Sequence, residues 1–267
     1  MGRTLVVTDL DGSFWDEELR CHGRTLDAVG RLNANGVPLL VATGRRANSA
    51  RAGLVANDLH LPAVLLNGAL GVDFRTDDQF HSRPFTRQAA AEVVNTLAAV
   101  ELYPVMYLAD GSVRGPEQVT TAQRHRTQLL ADYIVADAAD VADNHDILGF
   151  SMIGLTHERL EPVLAAVPTN VADVDLYNDK LFQAWSVHLQ PVGLSKWDGI
   201  QAYLAHAGLQ PERIVVIGDQ TNDLEMLRNA DVALGVAGGH ESVLDLADRV
   251  IPHPRDGGWA EVLDHLL

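Results

Sequence analysis

The sequence predicts an α/β protein: a doubly wound parallel sheet into which a smaller α+β domain is inserted. At both ends of the chain, short apolar runs alternate with helical patterns, as in the strand–helix–strand units of a parallel sheet. The middle of the chain shows adjacent strand patterns instead. Its 267 residues suit two domains, since one domain usually holds about 100–200 residues.

The first part of the core domain, residues 1–82, is predicted to contain three buried strands and two helices. The strands are expected over residues 5–7, 37–41 and 63–66, and the helices over residues 25–35 and up to about residue 57. Gly36 follows the first helix at the position where glycine commonly ends a helix. Strands connected in this way lie parallel, so their carboxyl ends meet at one edge of the sheet.

The inserted domain is predicted over residues 83–190. Helices are expected over residues 88–100 and 117–131 and after Thr156, with strands over residues 105–108, 147–155, 171–177 and 182–189. The acidic residues 137–146 predict a loop. The alternation of strands and helices resumes after Gly193, with helices expected over residues 196–207 and 220–229 and strands over residues 214–217 and 232–234. Residues 191–267 are therefore predicted to complete the core domain.

Composition excludes several classes of protein. The chain has 36 acidic and 20 basic residues, a net charge of −16, which repels nucleic acid and favours a divalent cation. Cys21 is the single cysteine, so neither an internal disulfide nor a cysteine metal cluster is expected. No apolar run approaches the length of a membrane helix, and the chain reaches Asp9 too soon for a signal peptide, which predicts a cytoplasmic protein with no membrane partner.

Four polar motifs follow predicted strands or begin the helix behind them. They are Asp9-Leu10-Asp11-Gly12-Ser13, Ala42-Thr43-Gly44-Arg45, Lys196, and Gly218-Asp219-Gln220-Thr221-Asn222-Asp223. In open α/β sheets, ligands bind at this edge. Each motif also has a plain structural explanation, because Asp11-Gly12 is a common turn, Thr43 is a good helix N-cap, and a lone lysine usually faces solvent.

Converging carboxylates in these motifs predict a metal site. Asp9, Asp11 and Asp219 follow buried strands, and helical spacing places Asp223 one turn from Asp219. Buried carboxylates repel one another unless a cation compensates, and oxygen-only ligands favour Mg²⁺ over zinc. The metal would attract a phosphate, whose other oxygens would be held by Thr43, Gly44 and Lys196.

These residues predict phosphoryl transfer to a carboxylate. Asp9 is expected to attack phosphorus and form an aspartyl-phosphate. Asp11 is expected to protonate the leaving alcohol and then to deprotonate the water that cleaves the intermediate.

The ordered motifs resemble those of the haloacid dehalogenase superfamily of phosphatases. The long insert and Asn67-Gly68-Ala69 resemble its Cof-type subfamily (subclass IIB), which carries an α/β cap. The resemblance implies a Rossmann-like core with Asp9 as nucleophile and Asp11 as general acid/base. It implies Mg²⁺ ligands from Asp9, the Asp11 backbone carbonyl and Asp219, a metal-bound water on Asp223, and phosphate contacts from Thr43, Gly44, Lys196 and Asn222.

Three positions depart from the pattern of that family. Ser13 stands where threonine is usual, Leu66 precedes Asn67 where a small hydroxyl residue is usual, and Trp197 follows Lys196 where glycine is common. The serine keeps the hydroxyl, whereas Leu66 removes one from beside Asn67. Trp197 is expected to narrow the entrance to the site or to pack against the cap.

The leading hypothesis is a Mg²⁺-dependent phosphatase that acts on a small phosphorylated metabolite, with a sugar phosphate as the favoured substrate. The alternatives are a phosphosugar mutase that uses the same aspartyl-phosphate and a non-catalytic sugar-phosphate binding protein. A monomer and a homodimer are both compatible with the sequence. The insert has 14 acidic and 7 basic residues, which makes it a poor surface for a highly phosphorylated substrate.

Other residues have weaker claims to function. Trp15 is expected either to gate the site or to pack in the core, and Arg45 and Arg46 either touch the substrate or face solvent. The 11 histidines show no metal-binding spacing. Within the insert, the candidates for substrate contact are Tyr107, Arg114, Tyr177, Asn178, Lys180 and Trp185.

Overall fold

The computed structural model describes residues 4–120, 133–179 and 184–266. The chain divides into two compact units. Met1–His81 with Ser195–Leu267 is the core unit, and Ser82–Leu194 is the cap unit. Within the residues described, no helix combines the length and the apolar composition needed to cross a membrane.

The strands and helices are numbered along the chain. The strands are β1 (Thr4–Thr8), β2 (Leu39–Ala42), β3 (Pro62–Leu65), β4 (Leu70–Asp73), β5 (Asp78–Ser82), β6 (Val105–Leu108), β7 (Val113–Gly115), β8 (Tyr133–Val135), β9 (Ile147–Leu155), β10 (Asp173–Asp179), β11 (Ala184–Gln190), β12 (Arg213–Gly218), β13 (Val232–Val236) and β14 (Arg249–Ile251). The helices are α1 (Gly23–Ala34), α2 (Ala47–Ala56), α3 (Arg87–Ala98), α4 (Ala138–Asn144), α5 (His157–Ala166), α6 (Lys196–Ala207), α7 (Leu224–Arg228) and α8 (Glu241–Leu246).

An eight-stranded sheet in the order β14-β13-β12-β1-β2-β3-β4-β5 forms the centre of the core unit. The six strands from β14 to β3 are parallel to one another, and β4 pairs antiparallel with β3. On one face, Leu5 and Val7 of β1 share an apolar cluster with Ile200 of α6, Met226 of α7 and Val243 of α8. The parallel sheet and its helices confirm the predicted α/β class.

Four parallel strands end where the predicted site residues begin. Asp9 follows β1, Thr43 follows β2, Leu66 follows β3 and Asp219 follows β12. These four strands are neighbours in the sheet order, with β1 at the centre between β12 and β2. Their carboxyl ends therefore bring side chains from distant parts of the sequence to one edge.

A hairpin formed by β3 and β4 was not predicted. Leu65 pairs with Leu70 across a tight turn in which Leu66 and Asn67 have left-handed backbone angles, with φ of 49° and 53°. Asparagine tolerates this conformation better than most residues, but leucine does not signal it. The turn is buried, since Leu66 and Asn67 are only 3% and 2% exposed.

The cap unit contains a six-stranded sheet in the order β10-β11-β9-β6-β7-β8. Its pairs are antiparallel except for β7 with β8. Apolar residues of α3, α4 and α5 pack with those of the sheet in one cluster, which includes Val93, Val141, Val163 and Phe150. This arrangement is the α+β pattern predicted for the insert.

Two predictions of local structure in the cap unit are corrected. The predicted loop over residues 137–146 contains α4, because the Asp137 side chain accepts a hydrogen bond from the Asp140 N–H at 2.9 Å and so caps a helix that buries Val141 and Ala142. The helix predicted over residues 117–131 does not begin at Glu117, since residues 117–120 are not helical. Residues 121–131 lie outside the described residues.

Candidate active site

Three buried carboxylates form a cluster at the carboxyl edge of the core sheet. Asp9, Asp219 and Asp223 each offer one oxygen, and these atoms lie within 4.8 Å of one another. The Asp9 N–H donates to the Ile217 carbonyl at 2.9 Å, so β12 holds the residue that follows β1. The Asp219 N–H donates to Asp223 Oδ2 at 2.9 Å, which joins the two residues across a single turn, as their spacing predicts.

Lys196 is the cation of this cluster. It is the first residue of α6 and is fully buried, and its Nζ lies 2.6 Å from Asp9 Oδ1 and 2.6 Å from Asp223 Oδ1. The solvated surface lysine considered for this position is therefore wrong. Glycines let α6 approach the sheet, because a Cβ on Gly199 would lie 2.3 Å from Val64 and one on Gly68 would lie 2.0 Å from the Ser195 carbonyl.

When all four groups are ionised, the three carboxylates and one ammonium leave two negative charges uncompensated, and burial is the largest influence on the pKa values of Asp9, Asp219 and Lys196. Burial raises the pKa of Asp9 well above its usual value, and Asp223 and Asp219 add to the rise although Lys196 opposes it. Burial together with the charge of Asp223 raises the pKa of Asp219 to about 6. Burial disfavours the charged Lys196, but Asp223 and Asp9 outweigh it and raise the lysine pKa.

Side chains around Asp219 fix its carboxylate. Ser13 Oγ donates to Asp219 Oδ1 at 2.8 Å, and Gln220 Nε2 donates to Oδ2 at 2.9 Å. Gly12 has φ of +78°, and a Cβ there would lie 2.7 Å from Asp219 Oδ2. The contact of Ser13 explains why a hydroxyl is kept at that position. Gln220 was not a predicted site residue, because glutamine beside an aspartate carries no distinct sequence signal.

The Asp11 carboxylate is not a member of the three-carboxylate cluster, although Asp11 lies in the same loop as Asp9. Arg45 Nε donates to Asp11 Oδ2 and Arg45 Nη2 donates to Oδ1, both at 2.6 Å. Trp15 Nε1 donates to Asp11 Oδ1 at 3.0 Å. Arg45, whose side chain is 24% exposed, therefore pairs with Asp11 at the surface of the site. A gating Trp15 is excluded because its side chain is fully buried.

The Thr43–Gly44 segment is a strand end and not a helix start. The α2 helix begins at Ala47 with Arg46 as its N-cap residue, so the N-cap role considered for Thr43 is wrong. The Thr43 N–H donates to the Val64 carbonyl at 2.9 Å within the sheet, and Thr43 Oγ1 accepts from the Arg45 N–H at 3.2 Å. The Thr43 hydroxyl proton and the Gly44 N–H are the donors that this loop offers to an anion.

Comparison with known proteins identifies the family. A family model described as haloacid dehalogenase-like hydrolase matches residues 6–263. The chain belongs to the haloacid dehalogenase-like hydrolase family. This confirms the resemblance drawn from the motifs, and this hydrolase is a phosphoric monoester hydrolase, as predicted.

Two relatives of this hydrolase are similar to it over nearly their whole length. The 5-amino-6-(5-phospho-D-ribitylamino)uracil phosphatase YitU of Bacillus subtilis (strain 168) is 26% identical, over 97% of this chain and 96% of that protein. The pyridoxal phosphate phosphatase YbhA of Escherichia coli (strain K12) is 24% identical, over 100% of both chains. The solved structure of the HAD subclass IIB sugar phosphatase BT4131 has the same fold, with a TM-score of 0.75 and 19% identity, over 98% of both chains.

Asn222 of this hydrolase lies next to the buried turn between β3 and β4. Its Nδ2 donates to Asn67 Oδ1 at 3.0 Å, and its own Oδ1 is a buried atom that accepts no hydrogen bond within the described part of the chain. Asn67, which was singled out in the sequence only through the family resemblance, therefore positions a residue predicted to bind phosphate.

The remaining candidates of this hydrolase have structural partners. Trp197 is partly buried and packs against the apolar cluster of the core unit. In the cap unit, the ring of Tyr107 stacks with His188 at 6.1 Å, Arg114 Nη1 lies 3.0 Å from His145 Nε2, and the Tyr177 hydroxyl donates to Asp175. Trp185 packs against the apolar cluster of the cap unit. The side chain of Asn178 and all of Lys180 lie outside the described residues.

Proposed function

We propose that this hydrolase uses Asp9 as its nucleophile, Mg²⁺ as its metal and a small sugar phosphate as its substrate. The proposal rests mainly on Lys196, whose buried ammonium bonds both Asp9 and Asp223 at 2.6 Å. A buried lysine that serves only stability is rarely favourable, because its desolvation costs about as much as the pairing returns. Binding of an anionic substrate would account for the buried positive charge of Lys196.

The donor set of the cluster fits a hard divalent cation. Asp9, Asp219 and Asp223 supply only oxygen atoms, which suits Mg²⁺, and their two uncompensated negative charges match its charge. When bound, Mg²⁺ supplies positive charge that reduces the repulsion between the Asp9 carboxylate and the phosphate. Asp9, Asp219 and the Asp11 backbone carbonyl would hold it, and Asp223 would hold a water molecule bound to it.

Asp9 and Asp11 carry out different steps of the proposed reaction. Asp9 forms a bond to phosphorus as the bond to the substrate oxygen breaks, and Asp11 delivers a proton to that oxygen. Asp11 then removes a proton from a water molecule, whose oxygen displaces Asp9 from phosphorus and releases inorganic phosphate. Asp9 and Asp11 are thereby both returned to their starting states.

Phosphate oxygens are assigned to donors around the three-carboxylate cluster. Lys196 directs two of its three N–H donors at carboxylates, and we assign the third to the phosphate. The Thr43 hydroxyl, the Gly44 N–H and the Asn222 amide supply the other contacts. Preorganised donors of this kind stabilise charge in a phosphoryl-transfer transition state.

The inserted domain predicted over residues 83–190, which lies within the cap unit, is proposed to select the substrate. Its net charge of −7, from 14 acidic and 7 basic residues, disfavours highly phosphorylated molecules. A substrate with one phosphate on a neutral polyol or sugar meets that constraint. One relative, the 5-amino-6-(5-phospho-D-ribitylamino)uracil phosphatase YitU, is named for a substrate with a phosphoribityl group, which supports the same class.

The decisive experiment compares Asp9→Asn with the parent and with Asp27→Asn. Asp27 is an exposed residue of α1 in the same unit and serves as the matched control. With a panel of phosphorylated sugars and Mg²⁺, we expect phosphate release to fall by about three orders of magnitude or more in Asp9→Asn and to persist in Asp27→Asn. Equal rates for Asp9→Asn and the parent would refute the nucleophile, and an isomeric sugar phosphate as product would indicate a mutase.

A further inference from the structure

Three hydrogen-bond donors converge on the carboxylate of Asp11. Arg45 Nε donates to Oδ2 and Arg45 Nη2 donates to Oδ1, each at 2.6 Å, so the guanidinium binds the carboxylate in a bidentate manner. Trp15 Nε1 approaches Oδ1 from a third direction at 3.0 Å. The two carboxylate oxygens are therefore not equivalent, since Oδ1 accepts two of these bonds and Oδ2 accepts one.

The indole of Trp15 is held rigidly in this position. Its side chain is fully buried, and its ring fills the space beside Gly53, where a Cβ would lie 2.6 Å from Trp15 Cη2. The Arg45 guanidinium lies 5.3 Å from the centroid of the same ring and also bonds Ser49 Oγ at 2.8 Å. Trp15 and Arg45 thus support each other while both bond Asp11.

We propose that Trp15 is a positioning residue that determines which oxygen of Asp11 transfers the proton; this rests on the acid–base role of Asp11 in the proposed function. A carboxylate has about four lone-pair positions, two on each oxygen. The bonds from Arg45 and Trp15 occupy both positions on Oδ1, whereas Arg45 occupies one on Oδ2. The remaining position on Oδ2 is the one that carries the proton.

Arg45 alone would not make this distinction. Its fork donates one bond to each oxygen, so it fixes the plane of the carboxylate and treats the two oxygens alike. The indole N–H breaks that symmetry. A side chain without a donor at position 15 would leave two equivalent oxygens, only one of which points correctly at the leaving group.

The test uses substrates whose leaving groups differ in their need for a proton. An alkoxide must be protonated as it leaves, whereas p-nitrophenolate leaves as the anion. We expect Trp15→Phe, which keeps an aromatic ring and removes the N–H, to lower the ratio of kcat/KM for a primary alkyl phosphate to that for p-nitrophenyl phosphate by about tenfold. The matched control is Trp259→Phe, because Trp259 is equally buried and its Nε1 donates to Thr8 Oγ1 at 2.9 Å, away from Asp11.

A ratio that changes less than twofold in a folded Trp15→Phe variant, or that falls equally in Trp259→Phe, overturns the inference and leaves the proposed function standing. A parent enzyme that cleaves neither these two substrates nor any phosphorylated sugar of the panel overturns the proposed function and this inference with it. The two failures are therefore distinguishable.

A spectroscopic measurement keeps the inference testable if Trp15→Phe does not fold. The chain has four tryptophans, so a ¹H–¹⁵N spectrum shows four indole signals, and substituting the other three one at a time assigns that of Trp15. We expect Asp11→Asn to shift the Trp15 indole signal more than any of the other three. An unshifted signal would show that the indole does not bond Asp11 and would overturn the inference.

Discussion

Replacing Lys196 by methionine removes the positive charge from the buried cluster while leaving a side chain of similar length. The lysine side chain is 0% exposed, and its two partners, Asp9 and Asp223, are 8% and 0% exposed. Solvent therefore cannot stabilise the carboxylates once the ammonium is lost. The variant must either keep unpaired buried charges or take up protons, and both alternatives favour the unfolded state.

The expected loss of stability is large. Removing one partner of a buried ion pair costs about 3–5 kcal/mol, because the remaining charge stays buried without compensation. In proteins of roughly this length, 1 kcal/mol shifts Tm by about 2–4 °C. Lys196→Met should therefore lower the Tm of the core unit by roughly 6–20 °C.

The assay is thermal unfolding in a metal chelator, followed by circular dichroism, with Arg249→Met as the control. Arg249 pairs with Glu261 at 2.9 Å but is 49% exposed, so its loss should cost no more than about 1 kcal/mol. If Lys196→Met unfolded within 2 °C of Arg249→Met, about the shift that 1 kcal/mol produces, the cluster would not depend on the lysine charge and the electrostatic reasoning would be refuted.

Three further predictions concern the metal, pH and the Gly12 loop. Asp219→Ala should raise the Mg²⁺ concentration for half-maximal activity by at least about tenfold, and an unchanged Mg²⁺ titration would contradict the metal site. Burial lowers the pKa of His188 from its usual 6.5 to about 4, so the unfolded chain binds the proton more readily and the free energy of unfolding should fall as pH drops from 6.5 to 4. The loss should reach about 3 kcal/mol at most, and urea titrations should show a flatter pH dependence for His188→Gln than for the parent. Gly12→Ala should destabilise the protein by roughly 1–3 kcal/mol, because its φ is +78° and its Cβ would lie 2.7 Å from Asp219; an unchanged urea midpoint would contradict this.

The cluster was predictable because it depends on topology and local spacing. Parallel strands end at a common edge, which brings Asp9 and Asp219 together, and a separation of four residues brings Asp223 to Asp219. Neither inference requires knowledge of side-chain torsions. The position of Lys196 at the start of a helix followed from the same pattern, although its complete burial did not.

The surroundings of Asp11 were not predictable, because they depend on the direction of individual side chains. Nothing in the sequence shows that Arg45 turns toward Asp11, or that the indole of Trp15 presents its N–H to the same carboxylate. The hairpin after β3 was not predicted because it depends on an unusual backbone conformation. It requires a left-handed Leu66, and leucine is not a residue that suggests this conformation.

The pairing of β1 with β12 can form only late in the synthesis of this protein. Thr4 pairs with Arg213, so one side of the central strand has no partner until more than 200 further residues have been translated. At about 5–20 residues per second, this interval lasts roughly 10–40 s. Lys196 emerges before Asp219 and Asp223, so the cation that compensates them is already present when these acids reach Asp9. The nascent chain therefore does not bring these carboxylates together without their lysine.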